Sequence, residues 1–240
     1  MKYLWEKEYT LRASDFDKYD HIKPSAVLEL FQDAAGQHGE EIGVGYEEMT
    51  SRLYIWMIMR IKFQIVSSPK SYQKVVVRTW PLAPNRLSYR REYKIDDENG
   101  ETLIIGSSEW VVVHSEKRRL VSDPGLYPAT DGFHTEEMFE GKLLKVADFK
   151  AEGEPRIVNA GFSEIDFNNH VNNTKYANYV LDAVVPSEKD VLSAFQIDYR
   201  KEVLEGTTLS IYHTKDGNQV LAKGLGDNGD IMFACRLEYK

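Results

Sequence analysis

Two segments of this sequence resemble each other, Asp166-Phe167-Asn168-Asn169-His170-Val171-Asn172-Asn173 and Asp17-Lys18-Tyr19-Asp20-His21-Ile22-Lys23-Pro24. Aligned without gaps, the two copies share an aspartate and a histidine at the same spacing. The match continues outside them at Ser14/Ser163, Asp33/Asp182 and Ala34/Ala183. Because a helix-like sequence follows each copy, the pattern predicts a duplicated fold.

The two copies differ between the aspartate and the histidine. The second copy has Asn168 where the first has Tyr19, so an Asp-x-Asn-x-His cluster is present only in the C-terminal half. We therefore expect the C-terminal half to react and the N-terminal half to bind.

Each half has the same predicted order of one helix followed by antiparallel strands. Ser25 is expected to cap the first helix, which loosens from Gly36 onward, and Thr174 to cap a second helix that runs through Ala183. The predicted strands are 54–66, 74–80, 87–95 and 103–114, then 194–201, 207–214, 219–226 and 231–239.

A stretch rich in proline and glycine, residues 122–155, separates the two halves and predicts a connector with one short helix. The expected domains are an N-terminal binding unit at 1–130, a linker at 131–154 and a catalytic unit at 155–240. A long helix wrapped by an antiparallel sheet, made twice in tandem, is an α+β arrangement and predicts a tandem (double) hotdog fold.

Composition limits the class of protein. Hydrophobic residues make up 42% of the chain, which is enough for a folded core, and the net charge of −8 argues against a nucleic-acid-binding surface. The charged start and the lack of a long apolar run predict a cytoplasmic protein with no membrane segment. Cys235 is the single cysteine, and the six histidines lack metal-ligand spacing, so no metal or nucleotide cofactor is expected.

The residues of the second copy suit acyl transfer. Asp166, Asn168 and His170 alternate along a segment that we expect to be extended, so their side chains would share one face before a helix start near Thr174. Backbone N–H groups in the first turn of that helix can stabilise an oxyanion. A thioester is a suitable substrate, because its thiolate leaving group has a pKa of about 8.5 and needs little protonation.

The sequence resembles the fatty acyl-acyl carrier protein thioesterases of plant plastids and their bacterial relatives, over nearly the whole chain. The resemblance is carried by Asp166–Asn173 with Tyr176, Asp198-Tyr199-Arg200-Lys201-Glu202, Arg78-Thr79-Trp80, Ser107-Ser108-Glu109-Trp110-Val111 and Arg118-Arg119-Leu120. It implies a tandem hotdog fold and hydrolysis of the thioester that joins a fatty acyl chain to the phosphopantetheine arm of acyl carrier protein. It also implies catalytic roles for Asp166, Asn168, His170 and Glu202.

The chain departs from the plant pattern at Val203, which stands where the plant proteins have a cysteine once regarded as a nucleophile. Carboxylate chemistry is the remaining route. We expect Asp166 to act as base or nucleophile, Asn168 to hold the thioester oxygen or water, and His170 with Glu202 to orient water and move its proton. Which carboxylate reacts is left open by the sequence, and Cys235 is expected to be a buried apolar residue.

The resemblance also implies that the N-terminal half houses the acyl chain, and Phe31, Trp56 and Met59 are candidate substrate-binding residues. Acyl carrier protein is acidic, so the basic pairs Arg90-Arg91 and Arg118-Arg119 are candidate docking residues. The tandem copy allows a monomer, and exposed sheet edges allow a homodimer.

Three other functions stay open at this point. A related hotdog enzyme could act on acyl-coenzyme A, or could dehydrate a hydroxyacyl thioester with Asp166 and His170. A non-catalytic binder of acyl chains or of the carrier protein is the third possibility.

Overall fold

The computed structural model describes residues 3–123, 125–127 and 132–240. The chain divides into two compact units, Met1–Arg12 with Glu29–Leu143 and Ala13–Leu28 with Leu144–Lys240. The predicted boundary between residues 130 and 131 lies outside the described residues. The sequence-based domain limits stay a prediction. Residues 13–28, which those limits put in the N-terminal domain, cluster by their contacts with the second unit.

The first unit is built on an antiparallel sheet with the strand order β1-β3-β4-β5-β2, and β6 pairs with the end of β5. Two helices accompany it, and α1 starts in residues assigned to the second unit. The elements are β1 Trp5–Thr10, α1 Pro24–Glu41, α2 Tyr46–Ser51, β2 Tyr54–Ile65, β3 Lys74–Pro81, β4 Tyr89–Asp97, β5 Thr102–His114 and β6 Arg119–Val121.

The second unit is also built on an antiparallel sheet, with the order β8-β11-β10-β9-β7. Its elements are β7 Arg156–Asn159, α3 Tyr176–Val184, β8 Leu192–Tyr199, β9 Thr208–Asp216, β10 Gln219–Leu225 and β11 Ile231–Tyr239. Helix α3 packs on the sheet through Tyr176, whose ring meets Tyr199 of β8 and Phe233 of β11 edge to face. Both units therefore combine helix and antiparallel sheet, as the α+β prediction requires.

The duplication is visible in the backbone of the two copies. A 3-10 turn precedes each copy, at Ala13–Asp15 and Phe162–Glu164. An isolated bridge then closes each loop, Phe16 to Ile22 and Ile165 to Val171. The residue before each histidine is left-handed, with φ of 62° at Asp20 and 64° at Asn169. The repeat read from the sequence is thus a structural repeat.

All eight predicted strands are present, but both predicted helix caps are wrong. Helix α1 already includes Ser25 and continues past Gly36 to Glu41, because its buried face, which includes Phe31 and Ala34, extends to His38. Helix α3 begins two residues after Thr174, whose N–H and hydroxyl both bond to the Asn172 side chain. Strands β1, β6 and β7 and helix α2 have no counterpart in the sequence-based prediction.

Phe31 is fully buried in the first unit, and Gly106 of β5 makes room for it. The Phe31 ring stacks on Tyr93 with centroids 4.3 Å apart and meets Phe63 edge to face. A Cβ added at Gly106 would lie 2.3 Å from Phe31 Cε2, which is far inside van der Waals contact. The absence of a side chain at Gly106 therefore permits this packing.

Gly106→Ala is expected to lower the free energy of unfolding by about 1–3 kcal/mol, because Phe31 must move off its stacked position. The matched control is Gly36→Ala on helix α1, where an added Cβ meets nothing within 4 Å. That change should raise the free energy of unfolding by about 0.5–1 kcal/mol, since alanine is the better helix former. Urea denaturation of both variants tests the pair, and equal effects would contradict the packing described here.

Residues 132–154 of the predicted connector contain no helix, and side chains of the sheets hold them in place. Within the first unit, Trp80 Nε1 donates to Glu136 O at 2.8 Å, and Met138 N donates to Glu92 Oε2 at 2.9 Å. Arg90 donates to Phe139 O and Gly141 O. The described part of the predicted connector 122–155 forms no helix, because backbone groups there bond to side chains of the sheet instead.

Within the second unit the connector is held in the same way. Gln196 Nε2 donates to Leu144 O at 2.6 Å, Val146 N donates to Asp198 Oδ2 at 2.9 Å, and Lys223 Nζ meets Asp148 Oδ1 at 2.7 Å. Gln196, Asp198 and Lys223 are all more than nine-tenths buried. The connector covers these three side chains and bonds to them, which is why strands of this unit carry buried polar residues.

Candidate functional site

The loop Asp166–His170 is a tight turn stabilised by its own aspartate. Asp166 Oδ1 accepts the Asn168 N–H at 2.8 Å, and Asp166 O accepts the Asn169 N–H at 2.9 Å. Asp166 N donates to His170 O at 2.8 Å. The prediction of an extended segment with three alternating side chains is therefore wrong, because these bonds and the left-handed Asn169 fold the backbone back on itself.

His170 and Glu202 form the central pair of the site. His170 Nε2 lies 3.2 Å from Glu202 Oε2, and both side chains are about one-third exposed, at 28% and 35%. Val203 anchors the arrangement, since its carbonyl accepts the Val171 N–H at 2.8 Å. The loop and the segment after β8 are thus tied together at the residues that follow His170 and Glu202.

Asp166 and Glu202 both act on the buried phenol of Tyr176. Burial raises the pKa of the Tyr176 phenol, the nearby Val203 backbone lowers it, and the charges of Asp166 and Glu202 raise it further. Both carboxylates therefore lie near one buried hydroxyl. The structure pairs His170 with Glu202 and joins Asp166 to His170 through the loop backbone, and the catalytic roles of the three residues stay predictions.

Asn168 is exposed, and its backbone N–H is the part that bonds to Asp166. Its role in holding a thioester oxygen stays a prediction. The sequence predicted that backbone N–H groups at the helix start would stabilise an oxyanion. Two of these groups do not fit that prediction, because the N–H of Thr174 bonds to the Asn172 side chain and the N–H of Lys175 bonds to the Asn172 carbonyl.

The N-terminal copy keeps the loop but changes its partners. Asp17 Oδ1 accepts the N–H groups of Tyr19 at 2.8 Å and His21 at 3.0 Å. His21 Nδ1 lies 4.0 Å from Asp17 Oδ2, so the histidine faces the aspartate of its own loop, whereas His170 faces Glu202 from the segment after β8. This difference supports the assignment of chemistry to the C-terminal copy.

The three candidate acyl-binding residues have different environments in the first unit. Phe31 is fully buried in the core, whereas Trp56 is partly buried and donates from Nε1 to Val44 O at 3.0 Å. Met59 lies at a bulge, where the pairing of β2 with β5 shifts between Ile58 and Arg60. A bulge interrupts strand alternation, so alternation does not determine which face of the sheet Met59 occupies. Their contact with an acyl chain stays a prediction.

The four candidate docking arginines also differ in their exposure and their partners. Arg91 is 7% exposed and bonds inside the unit to His38 Nδ1 at 3.0 Å and Thr79 Oγ1 at 3.2 Å, so its assignment to a docking surface is wrong. Arg90 points to the opposite face, where the connector and Glu92 take up its guanidinium. Arg118 and Arg119 are exposed, and their role in docking stays a prediction.

Cys235 is fully buried on β11, and burial raises the pKa of its thiol well above the ordinary value. The sequence-based expectation of a buried apolar cysteine is confirmed. A thiol in this state is a poor nucleophile, which leaves the Asp166, His170 and Glu202 cluster as the reactive candidate.

Family models match both halves of the chain. The Acyl-ACP thioesterase N-terminal domain matches residues 2–124, and the Acyl-ACP thioesterase C-terminal domain matches residues 150–234. Among the helices that the structure describes, none is long and apolar enough to cross a membrane.

Two plant proteins are among the curated relatives of this chain. A palmitoyl-acyl carrier protein thioesterase, chloroplastic, from Gossypium hirsutum is 30% identical over 220 residues, which cover 87% of this chain and 52% of the relative. An oleoyl-acyl carrier protein thioesterase, chloroplastic, from Arabidopsis thaliana is 26% identical and covers 98% of this chain and 69% of the relative. The chain spans about half the length of the first of these relatives.

Two solved structures share the fold over the whole chain. The 12:0-ACP thioesterase from Umbellularia californica superposes with a TM-score of 0.85 at 22% identity, covering 100% of this chain and 98% of that one. An acyl-ACP thioesterase from Bacteroides thetaiotaomicron gives 0.83 at 18% identity, covering 99% and 98%. These likenesses confirm the tandem hotdog prediction. With both family models matched in order along the chain, this protein belongs to the acyl-ACP thioesterase family.

Proposed function

We propose that this protein hydrolyses the thioester of fatty acyl-acyl carrier protein and releases the free fatty acid. The observation that carries the proposal is the pairing of His170 Nε2 with Glu202 Oε2 at 3.2 Å, beside Asp166, in a chain of this family. A histidine oriented by a carboxylate is the usual arrangement for activating water or a nucleophile.

The pair assigns a direction to proton transfer. If Nε2–H donates to Glu202, Nδ1 keeps the lone pair that can take a proton from water. The hydroxide that forms attacks the thioester carbon, and the tetrahedral intermediate expels the thiolate of the phosphopantetheine arm. The thiolate then takes the proton from His170, so no cofactor is needed in this scheme.

Asp166 has two possible roles that remain distinct. It either supports the attack of water as a charged neighbour, or attacks the thioester itself and forms an anhydride that water opens. After multiple turnovers in ¹⁸O-labelled water, label in the peptide that contains Asp166 would establish the anhydride route, since direct attack by water leaves that carboxylate unlabelled. We favour direct attack by water, because Asp166 Oδ1 is already engaged by the Asn168 N–H.

The substrate is tested by following free-thiol release from acyl carrier proteins that carry chains of graded length, beside the matching coenzyme A esters. Faster turnover on the carrier protein supports the proposal. Turnover on coenzyme A esters alone would replace it by an acyl-coenzyme A thioesterase, and binding without turnover would indicate an acyl or carrier-protein binder. An enoyl product from a hydroxyacyl thioester would indicate a dehydratase.

Docking of the acidic carrier protein is assigned to Arg118 and Arg119. Arg119→Glu is expected to raise KM for the carrier protein substrate about fivefold, because it puts a negative charge on the docking surface. The KM for a coenzyme A ester should not change. Arg156→Glu is the control, since Arg156 is also an exposed arginine on a strand. Equal effects of the two variants would show that overall charge, not this surface, sets KM.

The cytoplasmic location and the oligomeric state, monomer or homodimer, stay predictions. Fractionation with an antibody to the protein tests the first, and light scattering of the purified protein tests the second.

A further inference from the structure

A side-chain hydrogen bond joins the segment that carries His170 to the strand that leads to Glu202. Tyr199 Oη donates to Asn173 O at 2.8 Å. Tyr199 is the last residue of β8 and precedes Glu202 by three residues. Asn173 follows His170 by three residues. The bond therefore links the two segments close to the contact between their histidine and their glutamate.

The Tyr199 hydroxyl is a donor held in a fixed position. The ring of Tyr199 meets the ring of Tyr176 on α3 edge to face, with centroids 5.4 Å apart, and its backbone pairs with Phe233 of β11. Burial raises the pKa of the Tyr199 phenol well above its ordinary value, so the hydroxyl keeps its proton over the working pH range. Ring packing and strand pairing thus set where this hydroxyl points.

The acceptor, Asn173 O, belongs to a turn with its own internal bonds. Asn172 O accepts the Lys175 N–H at 2.9 Å, and Asn172 Oδ1 accepts the Thr174 N–H at 3.0 Å. These bonds span Asn173 on both sides and restrict its peptide group. Since the turn is restricted, a force applied at Asn173 O is passed along the backbone to His170.

The contact between His170 and Glu202 needs such support. Their side chains are 28% and 35% exposed, so water competes for both, and the atoms Nε2 and Oε2 lie 3.2 Å apart. The bond from Val171 N to Val203 O, at 2.8 Å, fixes the two segments at one point. One hydrogen bond leaves the segments free to pivot about it, whereas a second bond, from Tyr199, removes that freedom.

We propose that Tyr199 is a positioning residue for the reaction. Its hydrogen bond to Asn173 O holds the His170 segment against the Glu202 segment, and so keeps the imidazole in line with the carboxylate that orients it. Tyr199 acts through the pair and takes no proton in the reaction. This inference rests on the proposed thioester hydrolysis, and the test separates the two.

Tyr199→Phe removes the hydroxyl and keeps the ring that packs on Tyr176. The expected result is a fall in kcat on acyl carrier protein substrate of about tenfold, with KM changed less than about twofold, because alignment of the pair is lost and substrate binding is kept. Inactive wild-type protein would refute the proposed function. Active wild-type protein with an unaffected Tyr199→Phe variant would refute the role of Tyr199.

A double variant tests the route through Glu202. If Tyr199 acts by keeping the histidine and the glutamate together, its hydroxyl has little left to do once the glutamate is changed. Tyr199→Phe/Glu202→Gln should therefore be slower than Glu202→Gln by less than about twofold. A further tenfold loss in the double variant would contradict this route.

The matched control is a buried tyrosine at the far end of the same pair of strands. Tyr239 of β11 lies opposite Leu192, seven residues before Tyr199 on β8, which is roughly 23 Å along the strand. Tyr239→Phe should keep kcat within about twofold of wild type. An equal loss in Tyr239→Phe and Tyr199→Phe would show a general effect of removing a core hydroxyl and would refute the positioning role.

The tautomer of His170 gives a readout that does not depend on turnover. The ¹⁵N shifts of its ring are measured in labelled protein at alkaline pH, where imidazoles are neutral, and are assigned by their loss in His170→Ala. In wild type we expect the proton on Nε2, because that atom faces Glu202, and in Tyr199→Phe a mixture of both tautomers. An unchanged tautomer in Tyr199→Phe would contradict the proposal.

Discussion

Replacing His170 by alanine is expected to lower kcat on acyl carrier protein thioesters by about a thousandfold, because the proton acceptor paired with Glu202 is lost. The side chain is 28% exposed, so the free energy of unfolding should change by less than about 1 kcal/mol. Initial rates of thiol release and urea denaturation of the same preparation measure both quantities.

The control for His170→Ala is His21→Ala at the equivalent position of the N-terminal copy. The two histidines lie in loops with an equivalent bridge and left-handed residue, but His21 faces Asp17 of its own loop, whereas His170 faces Glu202. His21→Ala should keep kcat near the wild-type value. Equal losses at the two positions, or full activity of His170→Ala, would contradict the assignment of chemistry to the C-terminal copy.

Removing the Glu92 side chain is expected to have the largest effect on stability. Glu92 is fully buried and accepts from Arg90 Nε at 2.7 Å, Ser107 Oγ at 2.8 Å and Met138 N at 2.9 Å. Glu92→Ala leaves these donors without their acceptor and should cost about 3–5 kcal/mol of unfolding free energy. Urea denaturation measures the loss.

Two further variants define the origin of that loss. Glu137→Ala removes a carboxylate that meets the same Arg90 at 3.0 Å but is 44% exposed, and it should cost less than about 1 kcal/mol. The loss of unfolding free energy in Glu92→Gln should lie between those of Glu92→Ala and Glu137→Ala, since glutamine keeps one acceptor oxygen. Similar costs for Glu92→Ala and Glu137→Ala would mean that burial under the connector contributes little.

The pH dependence of Glu92→Gln follows from the direction of the Glu92 pKa. Burial raises this pKa, with Arg90 and the hydrogen bonds opposing the effect, so the folded protein binds the proton more tightly than the unfolded chain does. Wild type should therefore gain stability relative to Glu92→Gln as the pH falls through the raised pKa. The difference between the two proteins is expected to be larger at acidic than at neutral pH.

Local patterns were sufficient for the strands and the repeat. Alternation of apolar residues and turn signals such as Asp216-Gly217-Asn218 located all eight predicted strands. The shared Asp and His spacing located two loops of one backbone conformation. These features are encoded over a few neighbouring residues, which is why sequence alone predicts them.

The missed features depend on contacts between distant residues. Adjacent arginines on a strand point to opposite faces, and only the tertiary structure shows that Arg91 faces His38 inside the unit while Arg90 faces the connector. Because neighbouring residues of a strand point to opposite faces of the sheet, Arg90 and Arg91 cannot both face one docking partner. Buried Asp198 and Lys223 likewise have partners in the connector, far away in sequence.

At the site, the sequence predicted the reactive residues but not their arrangement. Asp166, His170 and Glu202 come together, whereas the turn that Asp166 and Asn169 make replaces the extended segment expected from alternation. The sequence motif includes Tyr176 but indicates no role for it, because its position depends on packing against β8 and β11. A tyrosine next to a motif gives no signal of that packing in the sequence.

The most direct test of this account is the rate of thiol release from a long-chain acyl-acyl carrier protein by wild-type protein and by Asp166→Asn, purified side by side. We expect many turnovers per molecule for the wild type and a loss of at least about a hundredfold in the variant. Equal rates for the two proteins, or no release by the wild type, would contradict a thioesterase with its catalytic centre at Asp166, His170 and Glu202.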